Sequence, residues 1–298
     1  SASYKLTDTW SANFNTGIYY QLPAYTVLGY AEDENNFINK ANNITYIQSN
    51  HLVGGLEYRP SNYLRFTLEG FYKTYNNYPF SIRDSVSLAN LGADFGVIGD
   101  EPVTSTSNGR SYGIEFLAQQ KLNKNFYGIL SLTYVVSEFE DKNGNYAASS
   151  WDNRTIISLT AGKKFKHDWE AGLKWRFSGG LPYTPYDVDY SSLIYVWDIN
   201  RQGVLDFDQL NQKRLDPYHQ LDIRVDKKWF FNKWNLDVYI DIQNVYNFQT
   251  TLQPCVDVVR DDIGNPIISA TDPTRYEVYQ LENTSGTLLP SIGLIIEL

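Results

Sequence analysis

A segment near residue 200 carries oxygen-bearing side chains at the spacing of a calcium-binding loop. In DINRQGVLDFDQ, Asp198 to Gln209, such side chains stand at alternate positions before a glycine. Alternate oxygens can surround a calcium ion, and the glycine permits the sharp turn that the loop needs. Gln202 stands where the calcium-loop template has its third Asp or Asn, and Gln209 replaces the closing glutamate. We therefore expect either a calcium site or an ordered loop with a glycine turn. The candidate calcium ligands are Asp198, Asn200, Gln202 and Asp206.

The residues just before this segment are rich in aromatic side chains that suit ligand recognition. The stretch GGLPYTPYDVDYSSLIYVW contains four tyrosines and one tryptophan, separated by aspartates and serines. Aromatic faces suit sugar rings or peptide side chains, and carboxylates suit hydroxyl groups. Tyrosine-rich loops also pack on one another, so a purely structural role is the alternative. The candidate substrate-binding residues are Tyr183, Tyr186, Tyr190, Tyr195 and Trp197.

The sequence offers no arrangement that is typical of an enzyme active site. Its three histidines, His51, His167 and His219, are far apart and lack the spacing of a metal-binding motif. Neighbouring aspartates such as Asp187 and Asp189 share one long loop, whereas a glycosidase needs two carboxylates across a cleft. We therefore predict no enzymatic activity and no cofactor apart from the calcium considered above. A net charge of −9 argues against nucleic acid as a partner.

Alternating apolar and polar residues predict β-strands along the whole chain. Between Asp216 and Asn247, leucine, isoleucine, valine and tryptophan occupy one parity, and charged residues and amides occupy the other. Side chains repeat on one face of a strand every second residue, so the pattern indicates a two-faced strand pair. Similar segments recur to the C-terminus and amount to about ten strands. We predict an all-β, antiparallel, up-and-down sheet.

The connections between these segments alternate strictly between short and long. Successive connections of an up-and-down sheet lie on opposite rims, so one rim carries tight turns and the other carries elaborate loops. This sorting is typical of transmembrane β-barrels, whereas a Greek-key sandwich gives no reason for it. The short connections are residues 60–62, 122–125, 166–168 and 231–233; the long ones are residues 21–43, 78–110, 140–153, 181–216 and 248–286.

Aromatic residues crowd the short turns. Tryptophan and tyrosine settle at membrane–water boundaries because the ring is apolar and its polar group prefers water. A ring of them beside one set of turns predicts an interfacial girdle, with the apolar strand faces in contact with outer-membrane lipid. The alternative is a set of aromatic residues that happen to end strands. The predicted girdle comprises Tyr63, Phe126, Trp169, Trp229 and Trp234.

Several segments together resemble the C-terminal half of the barrel of a TonB-dependent outer-membrane transporter of the Bacteroidetes type. None of them is specific alone. The segments are GLEYRPSNYLRFTLEGFYKTYNNYP (Gly55–Pro79), GRSYGIEF (Gly109–Phe116), GLKWRFSGGLPYTPYD (Gly172–Asp187), LDIRVDKKW (Leu221–Trp229) and DIQNVYN (Asp241–Asn247).

This resemblance implies that residues 1–298 form about ten strands of a twenty-two-stranded barrel that encloses a plug. No plug sequence is found in the chain, so we expect the plug and the remaining strands in another part of the gene product or on another chain. The resemblance further implies active import of a nutrient bound at the extracellular loops, powered by the inner-membrane TonB complex through the plug. A surface lipoprotein is a candidate partner. A passive porin-like barrel and a soluble carbohydrate-binding β protein are the alternative functions.

The last residues, LPSIGLIIEL, form an alternating terminal segment. Barrel proteins of the family that the chain resembles end on such a strand, which the assembly machinery reads. The final residue is Leu298 where an aromatic residue is usual, and a plain last strand is the alternative. The proposed assembly strand presents Ile292, Leu294, Ile296 and Leu298 on one face.

Overall fold

A computed structural model of the protein describes residues 1–33, 36–91 and 99–298. The strands are β1 Ala2–Lys5, β2 Trp10–Gln21, β3 Ile47–Tyr58, β4 Leu64–Ser81, β5 Val103–Asn123, β6 Phe126–Glu140, β7 Tyr146–Ala148, β8 Thr155–Lys164, β9 Trp169–Ser178, β10 Pro182–Tyr183, β11 Lys213–Arg214, β12 Tyr218–Phe230, β13 Asn235–Gln243, β14 Thr250–Val258, β15 Val278–Ser285 and β16 Leu289–Glu297. The helices are α1 Tyr25–Gly29, α2 Ile38–Ala41, α3 Val188–Ser191 and α4 Ile194–Asn200, with 3₁₀ turns at Leu88–Asn90, Lys166–Asp168 and Phe207–Gln209.

One antiparallel sheet dominates the molecule, in the order β1-β2-β3-β4-β5-β6-β8-β9-β12-β13-β16, with β7 added beside β6. Apart from β7 and the strands of the two loop hairpins, each strand pairs with the next one in the sequence, which is an up-and-down meander. Ten strands of the main sheet have nine or more residues, and this confirms the predicted count and class. Two small hairpins, β10-β11 and β14-β15, lie within long connections.

The connections sort onto two rims as predicted. Tight turns join β1 to β2, β3 to β4, β5 to β6, β8 to β9 and β12 to β13. The β5–β6 turn has only Lys124 and Asn125 between the strands, both at positive φ, as a two-residue turn of type I′ requires. We call the intervening long connections loops L1 to L5: residues 22–46, 82–102, 141–154, 179–217 and 244–288.

Strands β4 and β5 extend further than the alternation predicts. The sequence placed a loop from residue 78 to residue 110, but Phe80 pairs with Thr104 and Tyr78 pairs with Ser107. The segment TSTSN, residues 104–108, has no apolar face and therefore no alternation to reveal a strand. Backbone pairing alone extends the hairpin here, and the register shifts between Tyr75 and Phe80 mark β-bulges.

The strand register places the apolar side chains on one continuous face of the sheet. Directly paired residues of neighbouring strands share a face. Across β3 to β6, one such row consists of Leu56, Leu68, Phe116 and Leu132. At the other end of the sheet, Val225, Ile240 and Ile292 form another row. This face is exposed along most of its extent; Leu68 is 50% exposed and Ile240 is 50% exposed.

The fully buried apolar side chains lie mainly in the loops rather than under the sheet. Among the described residues, several of them form two clusters, one around Val27 between L1 and L2 and one around Trp197 between L4 and L5. A soluble sheet hides its apolar face in a core, but here that face packs against no layer of the described chain. The arrangement therefore fits a wall whose apolar side meets lipid. Among the described residues, no helix has the length and apolar character to cross a membrane.

Candidate functional site

Loops L1 and L2 are joined by a buried asparagine. The side chain of Asn39 in α2 donates to the carbonyl oxygens of Val27 at 2.8 Å and Glu101 at 2.9 Å. Its carbonyl oxygen accepts from the backbone N–H of Val103 at 2.8 Å. Val27, Leu88 and Val103 pack beside it as a small apolar cluster. One side chain thus connects two loops and the start of β5.

Loops L4 and L5 are joined by a second apolar cluster and by an arginine. The ring of Trp197 is 2% exposed and packs with Val256 and Val258 of β14. Arg275 of L5 donates to the hydroxyl oxygen of Ser192 at 2.7 Å and also to the carbonyl oxygen of Asp189. The backbone N–H of Ile194 donates to the carbonyl oxygen of Thr274 at 3.0 Å.

Polar side chains also connect L4 to L2 and L3. The side-chain amide of Asn211 donates to the carbonyl oxygens of Asn90 at 2.9 Å and Ala148 at 2.8 Å. The carboxylate of Asp152 is fully buried and is paired with Arg154 at 2.8 Å and with Arg214. The long loops therefore form one connected body at one rim of the sheet, and the side chains on it are held in fixed positions.

The structure divides the predicted substrate-binding residues into packed and exposed ones. Trp197 differs from the prediction, because its ring lies in the L4–L5 cluster and presents no free face. Tyr186 packs against the same cluster, and burial raises the pKa of its phenol. Tyr183 is half-buried in β10. Tyr190 is 45% exposed and Tyr195 is 60% exposed, so only these two offer open ring surface.

The predicted calcium ligands do not form the expected loop. Asp198 and Asn200 lie in α4, where Asp198 pairs with Arg201 at 3.2 Å and Asn200 donates to the carbonyl oxygen of Val196 at 2.9 Å. Asp206 instead caps the 3₁₀ turn Phe207–Gln209 by accepting from the backbone N–H of Asp208. In the parts of the chain that are described, no three His, Cys, Asp or Glu side chains are grouped to hold a metal. Calcium binding remains a prediction that this geometry does not support.

A cavity that the sequence did not reveal opens at the loop end of the polar sheet face. It has a volume of about 790 Å³, and Tyr19, His51, Tyr75 and Tyr78 line it. The rings of Tyr19 and His51 are 4.6 Å apart, and the His51 Nε2 atom is 2.7 Å from the hydroxyl oxygen of Ser49. This combination of aromatic faces and hydrogen-bonding groups can hold a small polar ligand.

Two local features shape this cavity. A side chain at Gly17 would place its Cβ 2.9 Å from the Tyr19 ring, so the glycine lets that ring lean across the strand towards His51, the partner of Gly17 in β3. The β-bulge after Tyr75 turns Tyr78 so that both rings contact Phe139, at 5.4 and 4.8 Å. One feature of the sequence could have indicated this cavity. Tyr19 alternates with Trp10, Phe14 and Ile18 and therefore lies on the face opposite to theirs.

The long-loop rim is strongly acidic. Loops L1 to L5 contain 21 Asp and Glu residues against 9 Lys and Arg residues, a net charge of −12 in a chain whose total charge is −9. Hydrogen bonds favour the ionised form of two of these acids. The pKa of Asp272 is lowered mainly by the side-chain hydroxyl of Thr274, and that of Asp261 mainly by the backbone N–H of Asn265. A field of this sign favours cationic groups near the loops.

Charged side chains cover the polar sheet face towards the short turns. Ion pairs join Glu57 to Arg65 at 2.8 Å, Arg224 to Asp226 at 2.7 Å and Lys228 to Asp237 at 3.5 Å. Among the described residues, Arg176 Nε and Asp237 Oδ1 are buried polar atoms without a hydrogen-bond partner. Buried polar atoms are normally satisfied, so this face has capacity for further polar contacts.

The predicted girdle residues all lie beside the short turns and are exposed. Their exposed fractions are 49% for Tyr63, 45% for Phe126, 46% for Trp169, 41% for Trp229 and 37% for Trp234. The ring of Trp234 stacks on Phe231 at 4.2 Å across the β12–β13 turn. The strand register places Phe126, Trp169 and Trp229 on the apolar face, whereas Tyr63 has the parity of Arg65 on the inner face. The girdle stays a prediction.

The terminal segment forms β16, which pairs with β13. Ile292, Leu294 and Ile296 lie on the apolar face and are 76%, 68% and 61% exposed, and Leu298 follows the strand. Within the described residues, the other edge of β16 has no strand partner. That edge can pair with a further strand, as closure of a wider barrel demands.

Comparison with known proteins agrees with this architecture. The family model described as TonB dependent receptor-like, beta-barrel, matches residues 1–245. No curated protein matches the sequence. The solved structures that are similar include the ferric-catecholate import receptor Fiu from K12 E. coli, with a TM-score of 0.57 and 14% identity over 98% of this chain and 34% of that one.

Two further solved structures have similar values. The ferric yersiniabactin uptake receptor FyuA from Yersinia pestis gives a TM-score of 0.58 at 12% identity, over 99% of this chain and 36% of that one. The ferric citrate transporter FecA gives 0.58 at 16% identity, over 99% of this chain and 37% of that one. The chain thus spans about a third of the length of these structures. It belongs to the TonB-dependent receptor family and forms part of the family's β-barrel.

Proposed function

We propose that the protein containing this chain imports a nutrient across the bacterial outer membrane in a TonB-dependent manner. The observation that carries the proposal is the two-faced wall: a continuous apolar face outside, a charged face inside, tight turns at one rim and interlocked loops at the other. Family membership supports the same placement. In this proposal the chain supplies barrel wall and extracellular loops and has no enzymatic role.

The ligand would meet two surfaces in succession. Tyr190 and Tyr195 in L4 offer exposed rings at the outermost level. The cavity of Tyr19, His51 and Tyr75 lies at the same end of the wall on the inner face, where a ligand passing through the barrel would move. The acidic loops favour a ligand with cationic or hydrogen-bonding groups over a strongly anionic one.

The partners proposed here are those that the edges and faces of the sheet can contact. In the described chain, β1 and β16 each have one edge without a strand partner, and the remaining barrel strands would pair with these edges. The charged inner face near the short turns suits contact with a plug, which would transmit the pull of the inner-membrane TonB complex. A surface lipoprotein resting on the loop body is a further candidate partner.

A passive porin-like barrel is the alternative function, and a permeability assay separates the two. The intact protein is placed in liposomes that are then transferred to an isosmotic arabinose solution. A plugged transporter gives no swelling, whereas a variant lacking its plug does. Rapid swelling with the intact protein would overturn the proposal in favour of a porin. A protein that stays dispersed without detergent would overturn the membrane placement and favour a soluble β protein.

A further inference from the structure

Two lysines stand on the apolar face of the sheet beside the short turns. In the register, Lys227 of β12 is opposite Trp169 of β9, and Lys163 of β8 is opposite Ala171. Both therefore share the face of the lipid-directed residues rather than the charged inner face. Lysines are costly on the lipid side of a barrel wall, and the cost falls towards the membrane–water boundary.

Aromatic rings lie close to both ammonium groups. The Lys227 nitrogen is 5.1 Å from the ring centre of Trp229 and 6.0 Å from that of Trp169, and it donates to the backbone carbonyl oxygen of His167. The Lys163 nitrogen is 5.4 Å from the ring centre of Phe165. Attraction between the ring faces and the ammonium groups keeps both groups at the level of the girdle.

Neither lysine has a carboxylate partner. No Asp or Glu oxygen of the described residues lies within 4.0 Å of the Lys163 or Lys227 ammonium, and the nearby Asp168 forms no ion pair either. The adjacent residue gives the contrast, because Lys228 points to the inner face and pairs with Asp237 at 3.5 Å. The turns add further positive charge with Lys166 and Lys233.

We propose that Lys163 and Lys227, with Trp169 and Trp229, bind the phosphate of an anionic phospholipid headgroup in the leaflet at the short turns. A lipid is the occupant because the pair lies on the lipid-directed face, at the depth that the tryptophans mark, where phosphates of a bilayer are found. Basic clusters at this level attract anionic lipids. The inference rests on the membrane placement of the proposed function and is independent of transport.

The test compares two double variants of the intact protein that differ only in the face affected. Lys163→Gln/Lys227→Gln removes two charges from the lipid-directed face, and Lys164→Gln/Lys228→Gln removes two from the inner face of the same strands. Each protein is first incorporated into nanodiscs of equal phosphatidylglycerol and phosphatidylcholine. It is then released for native mass spectrometry, which counts the lipids that stay bound. Circular dichroism checks that the β-sheet content of each variant is unchanged.

We expect the native protein and the inner-face variant to retain phosphatidylglycerol over phosphatidylcholine, and the lipid-face variant to lose about fivefold or more of that preference. Equal loss in both variants would overturn the site in favour of general electrostatic attraction. Absence of any preference in the native protein would overturn it as well. Failure of the native protein to enter nanodiscs would instead contradict the membrane placement. The lipid site and the membrane placement are therefore contradicted by different results.

Discussion

The ring of Tyr19 lies 4.6 Å from the imidazole of His51, across two paired strands on the inner face of the wall. Gly17 leaves the space for this contact, and a hydrogen bond between the Ser49 hydroxyl and His51 Nε2 orients the imidazole. An aromatic face, a tautomeric ring and a hydroxyl group thus meet at the mouth of a large cavity, on strands rather than on loops. Sites on strands hold their geometry better than sites on loops.

The Tyr19→Ala substitution should weaken ligand binding. Loss of one stacking face costs about 0.5–1.5 kcal/mol, or roughly two- to tenfold in affinity. Tyr72→Ala is the matched control, because Tyr72 pairs with Leu52 on the apolar face, is 46% exposed and does not line the cavity. Calorimetry of the intact protein with oligosaccharides, ferric citrate and short peptides provides the measurement. If both substitutions weaken ligand affinity equally, the cavity does not bind the ligand.

The Leu132→Lys substitution should destabilise the barrel in the membrane, whereas Ser131→Lys should have little effect. Leu132 lies on the apolar face and Ser131 on the inner face of the same strand. Leu132 is six positions along the tilted strand from Phe126 at the girdle, which places it about 15 Å into the bilayer, near its middle. A lysine there costs about 2–4 kcal/mol. Urea unfolding in lipid vesicles measures the difference, and equal stabilities would contradict the assignment of faces.

The sequence revealed the wall better than the loops, and the reason is physical. Alternation arises wherever a strand has one apolar and one polar face, so Leu221 to Ile242 could be assigned to faces before the structure was known. Strand segments that extend beyond the apolar band, such as residues 104–108, need no apolar face and leave no pattern. The length of such strand ends is set by hydrogen bonds between backbones, and these leave no periodic pattern in the side chains.

The interior of the loop body was hidden for a different reason. A tryptophan in a polar loop suggests recognition, so the sequence predicts a ligand-facing role for Trp197, but its ring packs against Val256, almost sixty residues later in the sequence. The segment around Asp198 was read as a loop, although α4 ends there. Short helices and clusters of three residues are too small to generate periodicity, so only the assembled chain shows them.

The Asn39→Ala substitution should loosen L1 and L2. It leaves the carbonyl oxygens of Val27 and Glu101 and the N–H of Val103 without their partner, and each unpaired buried group costs about 1–3 kcal/mol. Asn42→Ala is the control, since it loses a single bond of 3.0 Å to the Val103 carbonyl oxygen. Hydrogen exchange of residues 24–29 should accelerate far more in the first variant. Similar exchange in both would show that Asn39 does not join the loops.

Acid should weaken the contact between L4 and L5 at Arg275. The Asp272 carboxylate accepts from Arg275 Nε at 3.1 Å, and hydrogen bonding lowers the pKa of Asp272 below its ordinary value of 3.8. A lowered pKa in the folded protein means that the carboxylate stabilises the fold fully above the unfolded pKa. That contribution disappears as the pH falls through the folded value.

The expected readout is the protection of residues 189–194 against hydrogen exchange, corrected for intrinsic rates, at pH 2.5 and pH 5. Protection should fall at the lower pH in the native protein. In Asp272→Asn it should already be reduced at pH 5 and change less between the two values. Asp262→Asn, in the same loop, should behave as the native protein does. A native protein with equal protection at both pH values would contradict the role of this pair.

Replacement of Trp197 and of Tyr195 should separate packing from binding within one short helix. Trp197→Ala removes a fully buried ring from the L4–L5 cluster, and substitutions of this kind cost about 3–5 kcal/mol. Limited proteolysis of L4 and L5 should therefore accelerate strongly. Tyr195 is 60% exposed, so Tyr195→Ala should leave proteolysis unchanged, and any loss of ligand binding then reports a lost contact. If Tyr195→Ala destabilises the loops as much as Trp197→Ala, its ring belongs to the packing of L4 and is unavailable to a ligand.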